Sequence, residues 1–132
     1  MKVRSGYISN SSSSSFVLKD WSSVPEDVRS RILNPKEYVL EVWREKGLPL
    51  GDDGNYIDRE KALEMGFSEN DILKYDFGWL SDIEGWEITE GNDDTLNGFT
   101  IVDNFVYPVW LRYLNVEFEA EGENWDFISD NL

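Results

Sequence analysis

Gly98-Phe99-Thr100-Ile101-Val102-Asp103-Asn104-Phe105-Val106-Tyr107-Pro108-Val109-Trp110-Leu111-Arg112-Tyr113-Leu114-Asn115-Val116-Glu117-Phe118-Glu119 is the most apolar run in the chain. Its last part alternates: Leu114, Val116 and Phe118 fall on one side and Asn115, Glu117 and Glu119 on the other, the period of a half-buried strand. Phe99 to Asp103 is rich in β-branched and aromatic residues and reads as a second strand. Asp103-Asn104 suits a tight turn between them. Pro108 removes a backbone donor and so needs an edge, a bulge or a strand end. The stretch is expected to form the core sheet, with Leu114, Val116 and Phe118 buried and Glu117 and Glu119 exposed.

Other strands are expected over Val3–Ile8, Phe16–Leu18 and Trp86–Glu90, and within Thr95–Asp103, with Gly91-Asn92-Asp93-Asp94 as a turn. Helices are expected in between. One follows a cap at Ser22 or Ser23, with Pro25 in its first turn. A second opens at Asn34-Pro35-Lys36-Glu37, buries Val39, Val42 and Trp43, and stops at Gly47. A short one over Asp58–Met65 turns Ala62, Leu63 and Met65 inward, and another starts from a Ser68 cap. Leu48–Tyr56 reads as a loop, and the tail from Gly122 to Leu132 as a cap on the sheet or a loose end. The expected fold is α+β: one domain over residues 1–132, an antiparallel sheet with helices from about residues 22–75 on one face or end.

The chain has no histidine and no cysteine, which excludes a Ser-His-Asp triad, a Cys-His dyad, disulfides and a transition-metal site. No run of 18 apolar residues marks a membrane span, and Lys2 and Arg4 followed by polar residues do not make a signal peptide. Asp52, Asp53, Asn55 and Asp58 resemble calcium ligands in type but lack the EF-hand spacing, so neither metal nor cofactor is expected. The Gly-Phe-Ser junction between two short helices has a helix-turn-helix rhythm. Its second helix carries Glu69 and Asp71 where a DNA reader needs polar or basic groups.

Carboxylates are the abundant reactive groups. Asp82 with Glu84, or Glu117 with Glu119, have the two-residue spacing that puts side chains about 6–7 Å apart on one strand face. Glycoside hydrolysis needs such a pair, but with 27 Asp and Glu a chance pair is expected, and the reading is that the protein is not an enzyme.

Charge is the strongest signal. Residues 1–46 hold eight Lys/Arg and six Asp/Glu, a net of +2; residues 47–132 hold four and 21, a net of −17. An acidic surface repels nucleic acid, which argues against direct DNA or RNA binding, and generic solubility explains the same charge without a partner. The functional reading is an acidic face for a protein with a basic surface, with Glu87, Glu117, Glu119, Asp82, Glu84, Asp93 and Asp94 as candidate contacts.

Ser11, Ser12, Ser13, Ser14 and Ser15 form a serine run that by composition is a flexible connection. The surrounding segment, Arg4-Ser5-Gly6-Tyr7-Ile8-Ser9-Asn10 through the serines to Phe16-Val17, resembles the start of many small bacteriophage-encoded proteins, over about the first 18 residues. That resemblance implies a phage origin and a recognition role for the serine run. Its location would be the host bacterial cytoplasm or the virion, and it transfers no catalytic residue. The function expected is an accessory protein that binds and inhibits a host protein by nucleic-acid mimicry. The alternative is a virion component, which mass spectrometry of purified particles would distinguish.

Overall fold

Phe16 sets the centre of the molecule: its ring meets Trp86, Tyr107 and Phe118 at centroid distances of 5.6, 5.4 and 6.2 Å. The structure, a computed structural model, describes residues 14–101 and 106–122. The strand expected over Val3–Ile8, the Asp103-Asn104 turn and the tail beyond Gly122 lie outside the described residues.

Four strands, β1 (Ser14–Leu18), β4 (Trp86–Glu90), β5 (Leu96–Thr100) and β6 (Glu119–Gly122), pair antiparallel in the order β4-β5-β1-β6. β2 (Leu50–Gly51) and β3 (Tyr56–Ile57) form a separate small hairpin around a 3-10 turn, Asp52–Gly54, inside the stretch expected to be a loop. Among the described residues five helices complete an α+β fold: α1 (Glu26–Leu33), α2 (Pro35–Lys46), α3 (Arg59–Glu64), α4 (Glu69–Tyr75) and α5 (Val106–Tyr113). The first four lie where helices were expected.

α5 is the main correction. The run read as continuous sheet contains a helix that buries Val106, Tyr107, Pro108, Trp110 and Leu111 and exposes Arg112. Pro108 sits in its first turn, where a missing N–H costs no intrahelical bond. The Leu114–Phe118 alternation is not a strand. It is the helix terminator: Asn115 takes φ +62°, its N–H donates to the Arg112 carbonyl at 3.0 Å, and the Val116 N–H to the Leu111 carbonyl at 3.1 Å. That is a Schellman closure. Leu114, Val116 and Phe118 are half-buried rather than buried, whereas Glu117 and Glu119 are exposed as expected.

α5 joins the sheet to the helices. Tyr107 touches Phe16 and Trp86 on the sheet side and donates its hydroxyl to the Ile32 carbonyl. Trp110 Nε1 donates to the Arg31 carbonyl at 2.9 Å. Both acceptors belong to the last turn of α1, whose carbonyls have no partners within their own helix. On the helical side Trp43 is fully buried, stacks on Phe77 at 6.2 Å and donates Nε1–H to the Tyr75 carbonyl at 2.7 Å.

Local chemistry explains the helix ends. Gly47 takes φ +70° and closes α2. Asp58 and Ser68 cap α3 and α4, accepting the Lys61 and Asp71 amides at 3.1 Å each. Two expected caps are replaced. α1 has no side-chain cap, and Ser22 instead binds Asp94. Asn34 stands at the start of α2 but turns its amide back to the Ser30 carbonyl at 3.0 Å. In α3 only Ala62 of the three expected inward residues is buried. Leu63 and Met65 are exposed because a helix of six residues presents little more than one inward position.

Candidate functional site

Among the described residues, the sheet has one covered face and one open face. Along β1 and β5, Ser14, Phe16, Leu18, Leu96, Gly98 and Thr100 are buried against the core. Pairing Phe16 with Gly98 and Trp86 with Thr100 puts the alternate residues on the other side: Val17, Asn97, Phe99, Glu87, Thr89 and Glu119. Phe99 is 44% exposed and Ile101, just past the strand end, 62%. Half-buried Val17 lies between Asn97 and Glu119 in the register. The open face is therefore mixed along its middle, where Val17 lies beside Asn97 and Phe99 beside Ser15, and acidic at its two edge strands. Glu87 on β4 and Glu119 on β6 are three strand spacings apart and offset by two residues in the register, about 16 Å.

The serine run divides. Ser14 and Ser15 are strand residues, Ser14 buried opposite Thr100, so this half of the run is not a flexible connection. Ser11, Ser12 and Ser13 lie outside the described residues.

The other expected contacts take three environments. Asp82 and Glu84 occupy the 3-10 turn Leu80–Gly85 that leads into β4. Glu84 pairs with Lys36 of α2, and the hydrogen bond and charge of that ammonium hold its carboxyl below the usual carboxylate range. Asp93 and Asp94 lie in the β4–β5 turn and brace the chain. Asp93 accepts the Thr95 hydroxyl at 2.7 Å. Asp94, at φ +60°, accepts the Ser22 amide and hydroxyl at 2.9 and 2.8 Å. Glu119 accepts Lys19 at 2.9 Å and raises the pKa of that ammonium. Glu117 lines a shallow cleft of about 340 Å³ with Arg112, Asn115, Val116 and Phe118. Asp82, Glu84, Glu87, Asp93 and Asp94 thus precede, lie on and follow β4. Glu117 and Glu119 belong to the opposite edge.

Sequence reasoning missed Glu90, the last residue of β4, which accepts Trp21 Nε1 at 3.3 Å. It also missed that Phe99 and Ile101 face outward. The signal available for the acidic edge was the span of residues 75–111, which holds eight Asp/Glu and no Lys or Arg.

Both carboxylate pairs are partly engaged by lysine, each through an exposed member, and the lowered Glu84 is shifted away from what a general acid at neutral pH requires. Among the described residues no group of three or more Asp/Glu is placed to hold a metal ion, and no helix is long and apolar enough to cross a membrane. Asp58 is occupied as a cap, and Asn55 accepts the Ser81 amide at 2.8 Å. Comparisons with protein-family models, curated proteins and solved structures find no match to this chain.

Proposed function

We propose that this chain is an acidic, phage-encoded accessory protein that binds and inhibits a host protein through that protein's basic, nucleic-acid-binding surface, in the host bacterial cytoplasm. The observation that carries the reading is the β4 edge. Asp82, Glu84, Glu87, Glu90, Asp93 and Asp94 follow one another in sequence along it with no Lys or Arg between them, Lys36 of α2 reaching in to pair with Glu84, beside a sheet face that exposes Phe99 and Ile101. Apolar centres rimmed by charge are the usual anatomy of a protein-binding surface. The magnitude fits as well. Duplex DNA carries a charge per 1.7 Å of axis, so the −17 of residues 47–132 matches roughly 29 Å of duplex. A domain of this length has a radius of gyration near 14 Å, so it is about 35 Å across. Association with such a partner is fast and falls steeply with salt.

The test is competition for labelled duplex on basic, duplex-binding candidate host proteins at about 50 and 300 mM salt. The expected result is displacement of the duplex, weakened by salt and by joint Asp82→Lys and Glu87→Lys. Binding that leaves the duplex in place, or displacement unchanged in that double variant, would rule the reading out.

A further inference from the structure

Trp79 stands half out of the surface, 50% exposed, between buried Phe77 and buried Leu80. Gly78 permits this course: its φ is +96°, and a Cβ there would come within 3.2 Å of Val106. The indole is held on its inner side. It stacks on Tyr56 with 4.6 Å between centroids and 20° between planes. Tyr56 in turn lies on Gly51, where a Cβ would come within 2.7 Å of the phenol ring. Asn55 ties the two segments together. Its carbonyl accepts the Leu80 amide at 2.8 Å, its Oδ1 the Ser81 amide at 2.8 Å, and its Nδ2 donates to Ser81 Oγ at 3.3 Å. Gly51, Tyr56 and Trp79 make a three-layer stack whose outer indole face is set in advance. Preorganised aromatic anchors of this kind give binding surfaces much of their energy, because little side-chain entropy remains to be lost.

Charge selects the ligand. The segments that build the stack, residues 48–58 and 75–86, carry Asp52, Asp53, Asp58, Asp76, Asp82 and Glu84 and neither lysine nor arginine of their own; Arg59 pairs with Asp76 at 3.8 Å and Lys36 with Glu84, which leaves the balance acidic. Asp82 lies in the first turn of the 3-10 segment that Trp79 leads into, its amide donating to the Trp79 carbonyl at 3.0 Å. An indole face attracts a cation. A guanidinium suits the place better than an ammonium, since it is planar, weakly hydrated, and still offers N–H edges while stacked.

The geometry points to the Trp79–Tyr56 stack as the binding site for an arginine side chain of a protein partner, with the guanidinium over the indole and its N–H edge toward Asp82. The site rests on the partner being basic, as in the function above, and names the side chain that is read.

The intact protein is titrated with tetra-arginine and with tetra-lysine peptide at matched ionic strength, following the tryptophan indole N–H signals by NMR. The Trp79 signal is assigned by its loss in Trp79→Phe. The expected result is a shift of that signal with tetra-arginine and tighter binding of it than of tetra-lysine. Trp79→Ala should weaken tetra-arginine binding about 3- to 10-fold, and Leu73→Ser, at an exposed position of α4, should not. Equal binding of the two peptides, or unchanged binding by Trp79→Ala, would reduce the effect to the acidic field and overturn the site. So would an equal shift with tetra-proline. Tetra-arginine binding retained alongside failed duplex competition would sink the nucleic-acid-surface reading and leave this site standing.

Discussion

The Phe16 ring lies directly on the backbone of Gly98, its antiparallel partner across β1 and β5, in the space a side chain would otherwise fill. Phe16 is 1% exposed and is held by three other aromatic rings, so it cannot swing away. Gly98→Ala therefore overpacks the centre of the sheet. We expect a loss of about 1–3 kcal/mol, read as a lower urea midpoint with an unchanged slope.

Tyr107 carries a buried hydroxyl to the Ile32 carbonyl, and burial pushes its phenol pKa above the ordinary value. Tyr107→Phe leaves that carbonyl without its partner and should cost about 1–3 kcal/mol. The sign of the pH effect follows from the raised pKa. Stability contributed by the neutral phenol is complete below the unfolded value, near 10, and is lost as pH rises toward the folded value. The stability gap between wild type and Tyr107→Phe should narrow above pH ~10 in denaturation series. A constant gap would contradict the burial.

Asp94 holds a left-handed backbone and two bonds to Ser22, so its carboxylate acts within the chain. Asp94→Ala should cost about 1–2 kcal/mol, from the φ penalty and the lost bonds. Asp94→Gly should cost less, because glycine takes positive φ without strain. Thermal melts of the two variants give the order.

Phe99 and Ile101 face outward. Changing either to serine should leave stability within about 0.5 kcal/mol of wild type. The same changes should weaken binding to the partner in the competition assay. A large drop in melting temperature would place these side chains in the core.

Glu84 has its carboxyl pKa lowered by Lys36. Lys36→Ala should return it toward the ordinary carboxylate value, seen in a carboxyl-carbon NMR titration. A lowered folded pKa means the pair acts above the unfolded value and is lost as pH falls through the folded one. Acidification should release the turn Leu80–Gly85 from α2 at this contact.

Sequence by itself determined the parts set by local chemistry. The glycine stop at Gly47, the caps at Asp58 and Ser68 and the strand Trp86–Glu90 each depend on residues within a few positions of one another. The charge asymmetry is likewise a property of composition. Phe105–Leu114 was illegible because nearly every residue is apolar, and a filled pattern has no period to separate helix from strand. There, tertiary contacts decided. A helix lets Tyr107 and Trp110 reach the open carbonyls of α1 while Tyr107 still packs on Phe16. The site was hidden for a related reason. Alternation along a strand tells which residues share a face, but only the packed sheet tells which face is covered, so the outward position of Phe99 was not legible until Gly98 and Phe16 fixed the inner side.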